Sequence, residues 1–270
     1  MLVSDIVANV KSHRCYSHPV FQHWSANAPP TDVIGALFHQ IRSFCDSTRP
    51  GHNLPIALKQ LGLSTGSDKV QEIVESEEDH GPQLAAMAGH IMNRSAGRTI
   101  CPDVFNQAAV ESTLKECSDK LLGSLPGYDR KTGLMPQTKK AIAVFDGRHN
   151  TDEQSVYKSL GTTLALEIIS HRQLIPGEKH CLVDSGLYEA TLDEPEMHYL
   201  KEHFGETGAE AMHEQYAIEA IVSILQPSNM ALVEQGANDF LDSLAATWDL
   251  LDAALLESGA RNAPNVAKVQ

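Results

Sequence analysis

Aromatic residues are scarce, at 6 % of the chain. With Ala and Leu plentiful in their place, the balance leans towards helices rather than sheets. Positive charge is also short: 21 Lys and Arg stand against 35 Asp and Glu, a formal net charge of -14. An acidic surface repels phosphates, which excludes nucleic acid as a partner. The five cysteines (Cys15, Cys45, Cys101, Cys117 and Cys181) are odd in number, scattered and without a C-x-x-C pair. That excludes a disulfide framework or a thiolate metal site and fits reduced thiols. No apolar run approaches the roughly 20 residues that a membrane helix needs. The start, Met1 to Arg14, is broken by Asp5, Lys11 and Arg14, unlike a signal sequence. The expectation is a cytoplasmic protein that engages no membrane.

What is present is helical periodicity from end to end, with no repeat or low-complexity tract. A chain of 270 residues can bury a full core, and a single helical domain over 1–258 with a disordered tail at 259–270 is expected. A first helix is predicted from His18-Pro19. A second follows Thr31-Asp32, with Ile34, Leu37, Phe38, Ile41 and Phe44 at the 3-4 spacing of one buried face. A third, capped by Ser67-Asp68, runs to about Asn93 with a break at Gly81-Pro82. Further helices are expected over 106–122, 152–171 (stopping before Pro176-Gly177), 178–190, 194–204 after an Asp193 cap, 209–225, and from Pro227 to about Ser258-Gly259. The segment 123–150 is rich in Gly, Pro and charge and reads as a surface excursion around one short helix at 138–145.

Metal sites in helix bundles are commonly built from inward Glu side chains and Glu-x-x-His pairs, because i and i+3 share a helical face. Two such pairs occur here, Glu77-x-x-His80 and Glu210-x-x-His213. Chance placement would give about one in a chain of this composition, so context decides. Glu167 sits in the apolar run Leu164-Ala165-Leu166-Glu167-Ile168-Ile169, where a carboxylate needs a cation or hydrogen-bond partners to be buried. Arg172 or His171 could serve. His203, Glu206, Glu210 and His213 recur at intervals of three or four, though Gly205 and Gly208 interrupt the register. Each residue also has a plainer role open to it: Glu77 on a solvated acidic face, and His203 and His213 as ordinary histidines.

The order of these features resembles the heme-oxygenase-like di-metal oxidases and oxygenases. His18-Pro-Val-Phe-Gln-His-Trp looks like the first-helix signature of that superfamily, which thiaminase II and pyrroloquinoline-quinone synthase share. Val74 to His80 looks like its first ligand helix, Ala165-Leu-Glu167 its second, and Met197 to His203 with Tyr216 to Leu225 its third. The resemblance implies an all-α heme-oxygenase-like helix bundle with Glu77, His80, Glu167, His203, Glu210 and His213 as metal ligands. It leaves His90 as a stand-in for His80, and Glu206 for His203. Where family members carry His-x-x-x-Asp-x-x-His, this chain has Thr207 and Glu210 after His203, and the segment 123–150 is extra and assigned to the substrate entrance.

Oxygen and nitrogen ligands with open positions suit Fe(II), as a pair, or Mn(II), better than a structural zinc. By the resemblance, two ferrous ions would activate O2 to oxidise a C–H or N–H bond of an amino acid or fatty acid. The partners expected are that small molecule and O2, with a homodimer allowed. Three rivals stand beside this reading. One is a metal-free thiaminase-like or cofactor-independent enzyme on the same fold, the first needing an activated cysteine. Another is heme oxygenase itself, with His18 or His23 on the heme. The third is a non-catalytic helical interaction protein, favoured if Glu167 faces solvent.

Overall fold

The chain is described by a computed structural model covering residues 3–48, 53–77, 80–204, 208–224, 226 and 228–262, without the side chains of 48, 148 and 260–262. It is all-α: among the described residues there is no strand, only an isolated bridge between Asp129 and Leu134. No helix there is long and apolar enough to cross a membrane.

The helices are α1 (Val3–Ser12), α2 (Val20–Asn27), α3 (Thr31–Thr48), α4 (Asn53–Gln60), α5 (Ser64–Ser76), α6 (His80–Ala96), α7 (Gln107–Leu122), α8 (Pro136–Asp146), α9 (Glu153–Ile169), α10 (Ile175–Lys179), α11 (His198–His203), α12 (Ala209–Val222) and α13 (Met230–Asn262). The predicted face of α3 is buried throughout: Ile34, Leu37, Phe38, Ile41 and Phe44 are each 2 % exposed or less. It packs on α6, α7 and α8, while α13 lies along α9, α8 and α2, and α12 joins α5 to α9. Asn106 and Asp152 cap α7 and α9 by accepting from the backbone N–H of Ala109 and Ser155.

Several expectations are corrected. Helices α1 and α4 precede and follow the ones predicted there, and their short amphipathic stretches bury Ile6, Val10, Leu54 and Leu58. Ser67 is not a cap: α5 begins three residues earlier, and the Ser67 hydroxyl donates to the Pro55 carbonyl. The break in the ligand region falls before His80 rather than at Gly81-Pro82. Pro82 is tolerated in the first turn of α6, where backbone N–H groups have no intrahelical acceptor.

Nor does Pro176 stop the next helix. After α9 the chain winds as π-helix over Ser170–Leu174, passes through α10, and turns π again over His180–Asp184. The Ile175 N–H reaches back to the Ser170 carbonyl. This wide turn relieves the clash that Pro176 would meet in a regular α-helix. The helical run therefore ends at Asp184 rather than Ala190. Asp193 pairs with Lys201 instead of capping, and a 3-10 turn over Pro195–Met197 leads into α11. The segment predicted over 209–225 ends at Val222, and α13 starts at Met230 and continues past Gly259 to Asn262. Pro227 and the rest of the predicted tail, 263–270, lie outside the described residues.

Candidate metal centre

Five helices converge on one buried cluster. Glu77 follows the last turn of α5, His80 opens α6, Glu167 comes from the last turn of α9, His203 ends α11, and Glu210 and His213 stand on the first turns of α12. All six predicted ligands are thus brought together. Glu77 and His80, predicted on one helix, meet across a helix break, while His203 and Glu210 lie on separate helices as predicted. Two groups of three offer donor atoms all within 4.8 Å of one another: Glu77, His80 and His203, and Glu77, Glu210 and His213. Glu77 belongs to both.

Contacts within the cluster are specific. His80 Nδ1 pairs with Glu77 Oε2. His213 Nδ1 lies 3.3 Å from Glu77 Oε1 and 3.6 Å from Glu167 Oε2, and His203 Nε2 lies 3.8 Å from Glu210 Oε1. The last two separations are too long for hydrogen bonds. Donors about 2.1 Å from a shared cation stand about 3.0–3.5 Å apart, so the 3.3 Å separation of His213 Nδ1 and Glu77 Oε1 is the one that matches two atoms on one ion.

The second nitrogen of two rings is tied down. His203 Nδ1 is 2.5 Å from the Tyr199 carbonyl and must donate to it, so Nε2 carries the lone pair. The Ser76 hydroxyl donates its only proton to the Ile73 carbonyl at 2.9 Å, so its oxygen accepts from His213 Nε2 at 2.6 Å. That leaves Nδ1 as the basic nitrogen of a neutral His213. Fixing the tautomer through the non-ligating nitrogen is how metal-bound histidines are oriented. His203 Nε2, His213 Nδ1 and Glu210 Oε2 are buried and have no hydrogen-bond partner among the described residues.

The electrostatics agree with a cation-seeking site. Burial, then neighbouring His80, pushes His203 down to about 4, so it is a neutral ligand at ordinary pH. Burial, then Glu167 and Glu77, pushes the Glu210 carboxyl well up. Against the pull of burial, the nearby histidines hold Glu77 below its usual value, and Glu167 and Glu77 raise His213. Acidic groups crowd here without Lys or Arg, and the enclosing cavity has Phe44, Leu84, Leu166 and Leu174 as apolar wall.

Other expectations resolve differently. His90 sits 3.4 Å from Glu194, away from the cluster, and does not stand in for His80. His171 and Arg172 pair with Glu214, not with Glu167. His18 and His23 pair with Asp249 and Asp252 on α13, and neither lines the cavity. No residue of 123–150 lines it either. That segment is tied to α3 and α7 through the Gly133 carbonyl, which accepts from Gln40 and Ser118. Glu206 lies outside the described residues. The sequence reading passed over Ser76 and did not single out Tyr199, although Ser76 adjoins Glu77 and Tyr199 is one turn before His203. It also passed over Glu178, which α10 buries.

No family model, no curated protein and no solved structure matches the chain.

Proposed function

We propose that this protein is a non-heme di-metal oxidase or oxygenase of heme-oxygenase-like architecture, with two Fe(II) ions as its metal and Mn(II) as the alternative. It uses O2 to oxidise a small molecule such as an amino acid or fatty acid. One observation carries the reading. Buried, partnerless donors on His203, His213 and Glu210 face further carboxylates in two overlapping groups that share Glu77. Leaving such atoms unpaired is costly, and a cation between them satisfies all of them at once. The donor set is oxygen and nitrogen only, which suits iron or manganese.

Glu77, His80 and His203 would hold one ion, and Glu77, Glu210 and His213 the other, with Glu167 beside His213. Ferrous ions held there would supply the electrons for reducing O2. The chain's own part is to fix the ligand rings through Tyr199 and Ser76 and to keep water off the centre with its apolar wall.

Two observations speak against two of the rivals. Glu167 is 2 % exposed rather than turned to solvent, the condition that would have favoured an interaction protein. A thiaminase-like reaction needs a thiol of lowered pKa. Burial instead pushes the cavity-lining Cys45 well up, Cys15 to about 12 and Cys117 to about 11.

Anaerobic loading with Fe(II) is expected to give about two iron atoms per chain, followed by O2 uptake. Protein that takes up neither Fe(II) nor Mn(II) would sink the proposal. Binding should also strengthen with pH. Burial and the neighbouring carboxylates favour the protonated form of Glu210, which must lose its proton to ligate, so affinity is expected to rise with pH. A flat profile in competitive metal titrations at several pH values would contradict this protonation state.

A further inference from the structure

Glu178 is a carboxylate that the ligand set does not use. It is 2 % exposed, and neither oxygen has a hydrogen-bond partner among the described residues. Its place follows from the helix that carries Glu167. Glu167, Ser170 and Leu174 line the cavity at spacings of three and four residues, and Glu178 is four residues further along the same unbroken helical run. It therefore extends the cavity-lining stripe by one turn. Gly177 seats this turn against α2, since a Cβ there would stand 2.3 Å from the Phe21 ring.

The titratable groups that feel the charge of Glu178 are Cys45 on α3, Tyr199 on α11, Glu210 on α12 and Cys181 on its own run. Three of these, Cys45, Tyr199 and Glu210, line the cavity. None is a cation, and burial alone pushes the Glu178 carboxyl up to about 8. A carboxylate surrounded in this way is costly to keep charged, so in the metal-free protein the group is a neutral acid.

The charge count of the centre supplies a use for it. Glu77, Glu167 and Glu210 would bring three negative charges against the four positive charges of two divalent ions, and the histidines bring none. An uncompensated positive charge is unfavourable in a low-dielectric interior. Resting on the two-metal reading above, we propose that Glu178 is the charge-balancing carboxyl of the centre, surrendering its proton when the second divalent ion enters and remaining as the fourth carboxylate. The O–H bond of the carboxyl breaks, the proton passes to the buffer, and no electron is transferred.

The test is anaerobic titration of the metal-free wild-type and Glu178→Gln chains with Fe(II), following bound metal, protons released into an indicator solution and the infrared carbonyl region. In the wild type, a protonated-carboxyl band is expected before loading and should vanish once two ions are bound. Glu178→Gln should show a weaker band, that of Glu210 alone, release about one proton fewer per chain, and bind its second ion about tenfold to a hundredfold more weakly, with the first ion unaffected. Equal proton release and equal affinities in the two chains would overturn the role of Glu178 while leaving the two-metal reading intact. A wild type that binds no metal would overturn both. Should circular dichroism show that Glu178→Gln has not folded, the wild-type band decides: persistence after loading refutes the proposal.

Discussion

Gly161→Ala is expected to destabilise the protein by about 3 kcal/mol, although alanine is the better helix former. Helices α9 and α13 cross with their backbones in contact. A Cβ on Gly161 would stand 1.8 Å from the Val233 carbonyl oxygen, and one on Gly236 would stand 1.9 Å from that of Lys158. Between them the Thr162 hydroxyl shares its proton between the Lys158 carbonyl at 3.1 Å and the Gly236 carbonyl at 3.2 Å. Replacing glycine by alanine within a helix ordinarily gains up to about 1 kcal/mol. Overpacking costs about 1–3 kcal/mol, and more when the obstacle is backbone that cannot rotate away. The clash therefore outweighs the propensity gain. Gly147→Ala is the control, since nothing lies within 4 Å of its added Cβ and its φ of -59° is ordinary. It should fall within about 0.5 kcal/mol of wild type. Urea unfolding midpoints at unchanged slope measure both, and a Gly161→Ala chain as stable as wild type would show that the helices do not meet this closely. The variant also reports on the site, because a helix displaced at Gly161 carries Glu167 with it.

That close crossing was not legible in the sequence. A glycine inside a helical pattern signals some packing reason but not which partner approaches. The apolar face of α3 was legible, because burial of a helix face repeats every three or four residues whatever the partner. Glu167 was legible for an energetic reason: a carboxylate in an apolar run must find a cation or donors, and the structure buries it beside His213. The boundaries near Glu77 and Pro176 were not. Gly81-Pro82 and Pro176-Gly177 are the visible breakers, yet a proline costs little in a first turn or after a π-turn. Taking Pro176 as a stop is what hid Glu178, since its kinship with Glu167, Ser170 and Leu174 exists only if the helix runs through. Distance in sequence concealed the two overlapping ligand groups as well. Spacing pairs Glu77 with His80 and Glu210 with His213, but only the folded bundle shows Glu77 to be common to both groups.

Glu77→Ala is expected to remove both metal ions, whereas His80→Ala and His213→Ala should each remove about one. The difference follows from connectivity. His80 appears only in the group with His203, and His213 only in the group with Glu210, while Glu77 directs one carboxylate oxygen to His80 and the other to His213. Losing a terminal ligand leaves the second position with its own donors. Losing the shared carboxylate strips an oxygen donor from both positions and leaves the charge of the two divalent ions less compensated. Ser76→Ala provides the scale for an indirect effect, because its hydroxyl only orients His213; that loss should cost roughly tenfold to a hundredfold in affinity for one ion and leave the count at saturation unchanged. His203, buried at 1 % exposure with Nε2 turned to Glu210, should behave as His80 does, and Glu206→Ala should retain both ions. Metal counts at saturating Fe(II), with helix content checked by circular dichroism in every variant, separate these outcomes. If Glu77→Ala kept one tightly bound ion, the carboxylate would not be shared and the centre would be two independent mononuclear sites. If Glu206→Ala lost an ion that His203→Ala retained, the ligand on that side would be Glu206.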